Sequence, residues 1–146
     1  LKFNEIIMSN PSGLYPRFKG ITVEEVVLVP NSTQGAGNSI APGVRAVQLA
    51  ANTTDANDFT VLPSIASVPV GHSIVICAGA VASELRTPAG SGETINNLDC
   101  DGTNEALLTA ANTYTMVKRQ NATAANWILS GQTNLGAAQA TILPHA

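Results

Sequence analysis

The chain has 146 residues, enough for one domain to bury a core of its own without help from disulfides or metals. Hydrophobic residues make up 45 % of it and charged residues only 12 %, about half the usual charged share, so its polar surface comes from Thr, Asn, Ser and Gln. A net charge of −3 argues against binding nucleic acid through a basic face, and no apolar run approaches the ~18 residues that cross a membrane as a helix.

Neutral polar side chains cost less to desolvate than charged ones, so this surface is suited to burial against neighbouring proteins. A secreted β domain is the competing reading of the same composition. No basic stretch precedes an apolar one in the manner of a signal peptide, and a start at Leu1 is compatible with a processed or partial N-terminus. Two cysteines, Cys77 and Cys100, do not make a disulfide framework, and buried or unpaired thiols are expected.

Residues 1–20, LKFNEIIMSNPSGLYPRFKG, lack sustained periodicity and are broken by Pro11, Gly13, Pro16 and Gly20. They read as an extended N-terminal arm with apolar anchors at Phe3, Ile6, Ile7, Leu14, Tyr15 and Phe18. Lys2, Arg17 and Lys19 against Glu5 give the arm a balance of +2, while the other 126 residues carry four basic and nine acidic groups, a balance of −5. Such an arm suits docking on the acidic body of a neighbouring copy. A short solvated tail is the plainer alternative.

From Ile21 the pattern turns to strand. ITVEEVVLVP is rich in β-branched residues and stops at Pro30, and the loop NSTQGAGNS follows. VRAVQLAA sets Val44, Ala46 and Gln48 against Arg45, Val47 and Leu49, the alternation of a half-buried strand. NTTDAND reads as a turn, and FTVLPSIASV as a short strand interrupted by Pro63. HSIVICAGA, set off by Pro69 and Gly71, is the strongest apolar run and belongs in the core.

SELRT is a short strand closed by PAGSG, ETINNL is another, and Asp101-Gly102 offers a tight turn. EALLTAAN has helix-favouring residues, but it is short and surrounded by strand signals, which tips it to strand. TYTMVKRQ and NWILSG form a closing pair across the turn Asn121–Ala125, and the tail, 132–146, is small and polar. About eight short strands at spacings near ten residues imply an all-β fold: an antiparallel β-sandwich or barrel spanning 21–131, with extended N- and C-terminal arms. Ile74, Ile76, Val117, Trp127 and Leu129, at alternate positions of the clearest strands, are the expected core.

The chemistry-bearing residues form no marked constellation. His72 with Ser73 lacks a nucleophile elbow and reads as structural. Asp99-Cys100-Asp101-Gly102-Thr103-Asn104-Glu105 has its Gly and Glu at the wrong places for an EF-hand, so Asx turns are the better reading. GAGNSI lacks the last glycine of a dinucleotide loop, and no cysteine–histidine spacing suits zinc. Three Asn-X-Ser/Thr sequons, at Asn31, Asn52 and Asn121, are about what this composition produces by chance. Trp127 reads as a core aromatic in preference to a ligand platform. Enzymatic activity and a bound cofactor are therefore not expected.

The order VPVGHSIVICAGA, ELRTPAGSGETINNLDCDGTNEALL, ANTYTMVKRQNATAANWILSG, over residues 68–131, resembles β-modules of tailed-bacteriophage virion proteins. Residues 1–67 carry no such likeness. The resemblance implies a virion structural protein, either a capsid decoration (cement) protein on the outer capsid surface or a head- or tail-fibre module that binds host glycan. A decoration protein implies the major capsid protein or another virion protein as partner, a homotrimer, and no nucleic acid or membrane contact. The arm residues Phe3, Ile6, Ile7, Leu14, Tyr15, Arg17, Phe18 and Lys19 are the expected contact set.

Overall fold

Residues 25–35, 37–50, 58–102, 104, 106–108 and 113–133 are described in the computed structural model of the chain. The expected arm, 1–20, lies outside them, as does the tail beyond Thr133. The regular elements of the described chain are almost all strands: β1 (Glu25–Leu28), β2 (Ala46–Leu49), β3 (Phe59–Val61), β4 (Ser73–Cys77), β5 (Ser83–Arg86), β6 (Thr94–Ile95), β7 (Leu98–Asp99), β8 (Ala106–Leu108), β9 (Thr113–Arg119) and β10 (Asn126–Thr133). One 3₁₀ turn, Ile65–Ser67, interrupts them. A seven-stranded sheet has the order β1-β2-β4-β9-β10-β6-β7, and β3-β5-β8 form a second sheet; neither order closes on itself.

Pairing differs from the antiparallel arrangement expected from the sequence. β1–β2, β2–β4, β3–β5 and β6–β10 are parallel, whereas β4–β9, β9–β10, β5–β8 and β6–β7 are antiparallel. The reason lies in the path of the chain. β3 in the small sheet falls between β2 and β4 of the large one, and β4 falls between β3 and β5. After each of these single visits the chain re-enters at the end where it began, so β2–β4 and β3–β5 run parallel. The connection 29–45 behaves likewise, touching β3 through bridges Asn31–Phe59 and Ser39–Val61 before β2 begins.

One hydrophobic cluster draws on both sheets. Val47 and Leu49 of β2, Ile74 and Ile76 of β4, Val117 of β9, and Trp127 and Leu129 of β10 meet Leu85 of β5 with Ala106 and Leu108 of β8. All five residues expected in the core are there. Because side chains alternate across a strand, these are every second residue, and HSIVICAGA lies in the core only by alternate positions: Val75 is exposed. At 106–108 the chain is strand, with Ala106 and Leu108 buried, which decides the helix-or-strand choice for those residues.

ETINNL, expected as one strand, is a hairpin. β6 and β7 have two residues each and are joined by Asn96 and Asn97 at φ 50° and 68°. Two successive positive φ values are the requirement of the tight turn whose twist matches its flanking strands, and Asn tolerates them better than any other non-glycine residue. The asparagine side chains then extend the pairing. Asn96 Oδ1 accepts from the Leu129 N–H at 3.0 Å and its Nδ2 donates to the Leu129 carbonyl at 3.3 Å, as a strand residue would.

Candidate interaction surface

The alternation that fills the core also decides what the large sheet presents on its other side. There lie Glu25 and Val27 of β1, Ala46 and Gln48 of β2, Ser73, Val75 and Cys77 of β4, and Ile128 and Ser130 of β10. In the backbone register, Met116 of β9 pairs with both Val75 and Ser130. Val27 is 64 % exposed, Val75 42 % and Ile128 39 %, with Val29 just beyond β1 at 51 %. Single exposed hydrophobics are ordinary, but a row of them on one sheet face with one carboxylate among its described side chains is a surface that loses little by desolvation.

A cleft of about 240 Å³ opens on this face, lined by Glu25, Ala46, Val47, Gln48, Val75 and Cys77. Cys77 is a free, half-buried thiol there, and Cys100 is fully buried elsewhere. The two edges of the sheet differ. β1 pairs only with β2 among the described strands and carries the sequence EVVL, while the opposite edge, β7, has two residues. An edge strand of apolar residues without Lys or Pro is a template for another chain.

The residues singled out from the sequence are not brought together here. Phe3, Ile6, Ile7, Leu14, Tyr15, Arg17, Phe18 and Lys19 lie outside the described residues, as does Glu105. Asp99 Oδ1 accepts from the Asp101 N–H at 3.3 Å and Asp101 Oδ2 from the Gly90 N–H at 3.0 Å, so both acids hold local backbone. Asn121 Oδ1 closes the β9–β10 turn through Thr123 and Ala124 N–H groups at 2.9 and 2.7 Å. No three His, Cys, Asp or Glu side chains cluster as a metal-ligand set among the described residues. Trp127 is fully buried and so presents no platform to a ligand.

Several buried polar residues have roles that composition did not signal. Asn38, in the GAGNSI loop, donates to the Phe59 carbonyl at 2.8 Å and the Asn31 carbonyl at 3.2 Å, fastening that loop to β3. Glu93 Oε1 accepts from the Ile65 N–H and the Ser64 hydroxyl, both at 2.9 Å, and so holds the start of the 3₁₀ turn. Arg86 pairs with Glu84 at 2.7 Å and lies 4.1 Å over the Phe59 ring. The contacts of Asn38 with Phe59, of Glu93 with Ser64 and Ile65, and of Arg86 with Phe59 join parts of the chain that are distant in sequence.

His72 is buried at the start of β4, its Nε2–H donating to the Val44 carbonyl at 3.1 Å. Burial, with Arg45 beside it, lowers its pKa below the ordinary 6.5. As the pH falls the unfolded chain therefore takes up the proton first. The stability due to neutral His72 is fully present above about pH 6.5 and is lost as the pH falls through 6.5 toward the depressed folded-state value. Urea unfolding between pH 8 and pH 5 is expected to show this decline, with a shallower slope in His72→Gln. Equal slopes in the two proteins would remove His72 as its source.

Compared with known proteins, the sequence matches no protein-family model and no curated protein. The functional reading therefore rests on the chain's own residues.

Proposed function

We propose that this chain is a virion structural protein of a tailed bacteriophage, a decoration protein that binds the outer capsid surface and stabilises the shell. The observation that carries the reading is the outer face of the large sheet, where Val27, Val75 and Ile128 stand exposed beside the β1 edge on a chain with few charges. A protein held permanently against others benefits from such a face, because burying it removes apolar area from water and strands few charges. The two sheets are the layers of a sandwich, whose rigid face presents these residues. Residues 1–20 act as a strap, the major capsid protein or another virion protein is the partner, and copies group as trimers. The trimer and the virion setting come from the resemblance over residues 68–131.

The test is binding to empty capsids of the encoding phage. Purified protein is expected to co-sediment with them and raise their disruption temperature. Ile128→Asp, at an exposed site outside the cleft, is expected to weaken binding at least tenfold. Capsids whose disruption temperature is unchanged at saturating protein would overturn the decoration role. Specific binding to a host-glycan panel in its place would make the protein a fibre module.

A further inference from the structure

We propose that the cleft between β1, β2 and β4 is the seat of the N-terminal segment, residues 1–20, of a neighbouring copy of this chain. The inference rests on the strap reading above and gives the strap its receptor.

Three observations carry it. The first is where the segment joins the described chain. Twenty-four residues precede Glu25, and Glu25 itself lines the cleft, so every copy delivers its own N-terminal segment at the edge where the cleft opens. Twenty extended residues reach about 65 Å, whereas seven strands side by side span only about 34 Å. The segment is long enough to leave its own sheet and lie on the next copy's.

The second is size and character. A volume of 240 Å³ is smaller than a small-molecule pocket, usually ~300 Å³ or more, but it takes one or two apolar side chains. Ala46, Val75 and Cys77 line it, with Val27 exposed on the same β1 face, and the arm carries Phe3, Ile6, Ile7, Leu14, Tyr15 and Phe18. The third is charge. Glu25 is the one charged residue lining the cleft, in a body of balance −5, and the segment is +2 with Arg17 and Lys19 flanking Phe18. Seating Phe18 leaves Arg17 and Lys19 within one residue of a cleft whose one charged lining residue is Glu25.

A copy that gives its segment to one neighbour and receives that of another makes a head-to-tail contact, which closes as a ring where the rotation between copies allows it and runs on as a filament where it does not. Closure lets each contact reinforce the next, which offsets the ordering of the segment at ~1–2 kcal/mol per residue. Within one copy, Phe18 stands only seven residues before Glu25 and reaches the cleft only through a tight reversal.

Cys77 makes the site directly testable, because it is a native thiol in the cleft. Full-length variants Ile6→Cys, Leu14→Cys and Phe18→Cys are oxidised gently with a glutathione redox buffer and run on non-reducing gels. At least one is expected to form covalent dimers and longer ladders that disappear when Cys77→Ser is added, while buried Cys100 stays unreacted. Glu25→Lys is expected to reduce the yield several-fold, and circular dichroism confirms that each variant is folded. A disulfide to Cys77 within single chains would overturn the exchange between copies. No Cys77-dependent disulfide in any folded variant would overturn the docking altogether. Capsids take no part in this experiment, so crosslinked copies that fail to stabilise a shell would sink the decoration role and leave this inference standing.

Discussion

Trp127→Ala is expected to destabilise the protein by about 3–5 kcal/mol, a large fraction of what holds a domain of this size folded. The indole is wholly buried in the cluster that joins the two sheets, on a strand paired with β9 on one side and β6 on the other. Removing it leaves a cavity that strands hydrogen-bonded on both sides cannot close. Its Nε1–H has no acceptor among the described residues, so the ring contributes through packing, against the cost of one buried donor. Trp127→Phe, which keeps a ring and removes that donor, is therefore expected to cost much less than Ala. Because Trp127 is the only tryptophan, unfolding is followed by circular dichroism or calorimetry. An Ala variant melting with the wild type would mean that the two sheets are held together elsewhere.

The second large effect is expected at Asn126, the first residue of β10. Its buried amide donates to Asn97 Oδ1 at 3.0 Å and Gln120 Oε1 at 2.8 Å, and it accepts from the Thr94 hydroxyl at 2.8 Å and the Asn97 N–H at 3.0 Å. One side chain thus ties the β6–β7 hairpin to β10 and to the end of β9. Asn126→Ala is expected to cost about 2–4 kcal/mol, since a typical bond contributes about 1 kcal/mol net and any partner left dry costs more. Asn126→Asp keeps both accepting roles but faces two oxygens with an oxygen, so it is expected to be no better than Ala. Hydrogen exchange should show protection falling at residues 94–99 while β4 and Val117 of β9 stay protected. Unchanged exchange there in a folded Ala variant would show that the hairpin docks without this network.

Both effects sit where polar and apolar residues from distant parts of the chain meet, and only one was visible beforehand. Alternation alone placed Trp127 among the core residues, because N-W-I-L-S-G puts it two positions from Leu129 on one side of a strand. Asn126, its neighbour, looked like any of the chain's many asparagines. Four hydrogen bonds to positions 94, 97 and 120 distinguish it, and no local pattern reports such contacts.

Local pattern sets the strand content, because β-branched runs, period-two alternation and turn residues act within a few positions of one another. It placed β2, β4, β5, β9 and β10, the turn at Asn121, the strand at 106–108 and the buried face of β4. Tertiary structure decided which strands are neighbours. The chain alternates between two sheets from β2 to β5, so β2–β4 and β3–β5 are parallel, an outcome set by crossing paths to which the strand sequences are indifferent. It also decided what the apolar run S-I-V-I-C does. Ile74 and Ile76 enter the core, while Val75 and Cys77 line a cleft on the other side, because the second sheet covers one face of β4. Hydrophobicity marks a residue for burial. Which side of the sheet meets a partner, and whether that partner is the same chain or a neighbour, is fixed by the arrangement of whole strands.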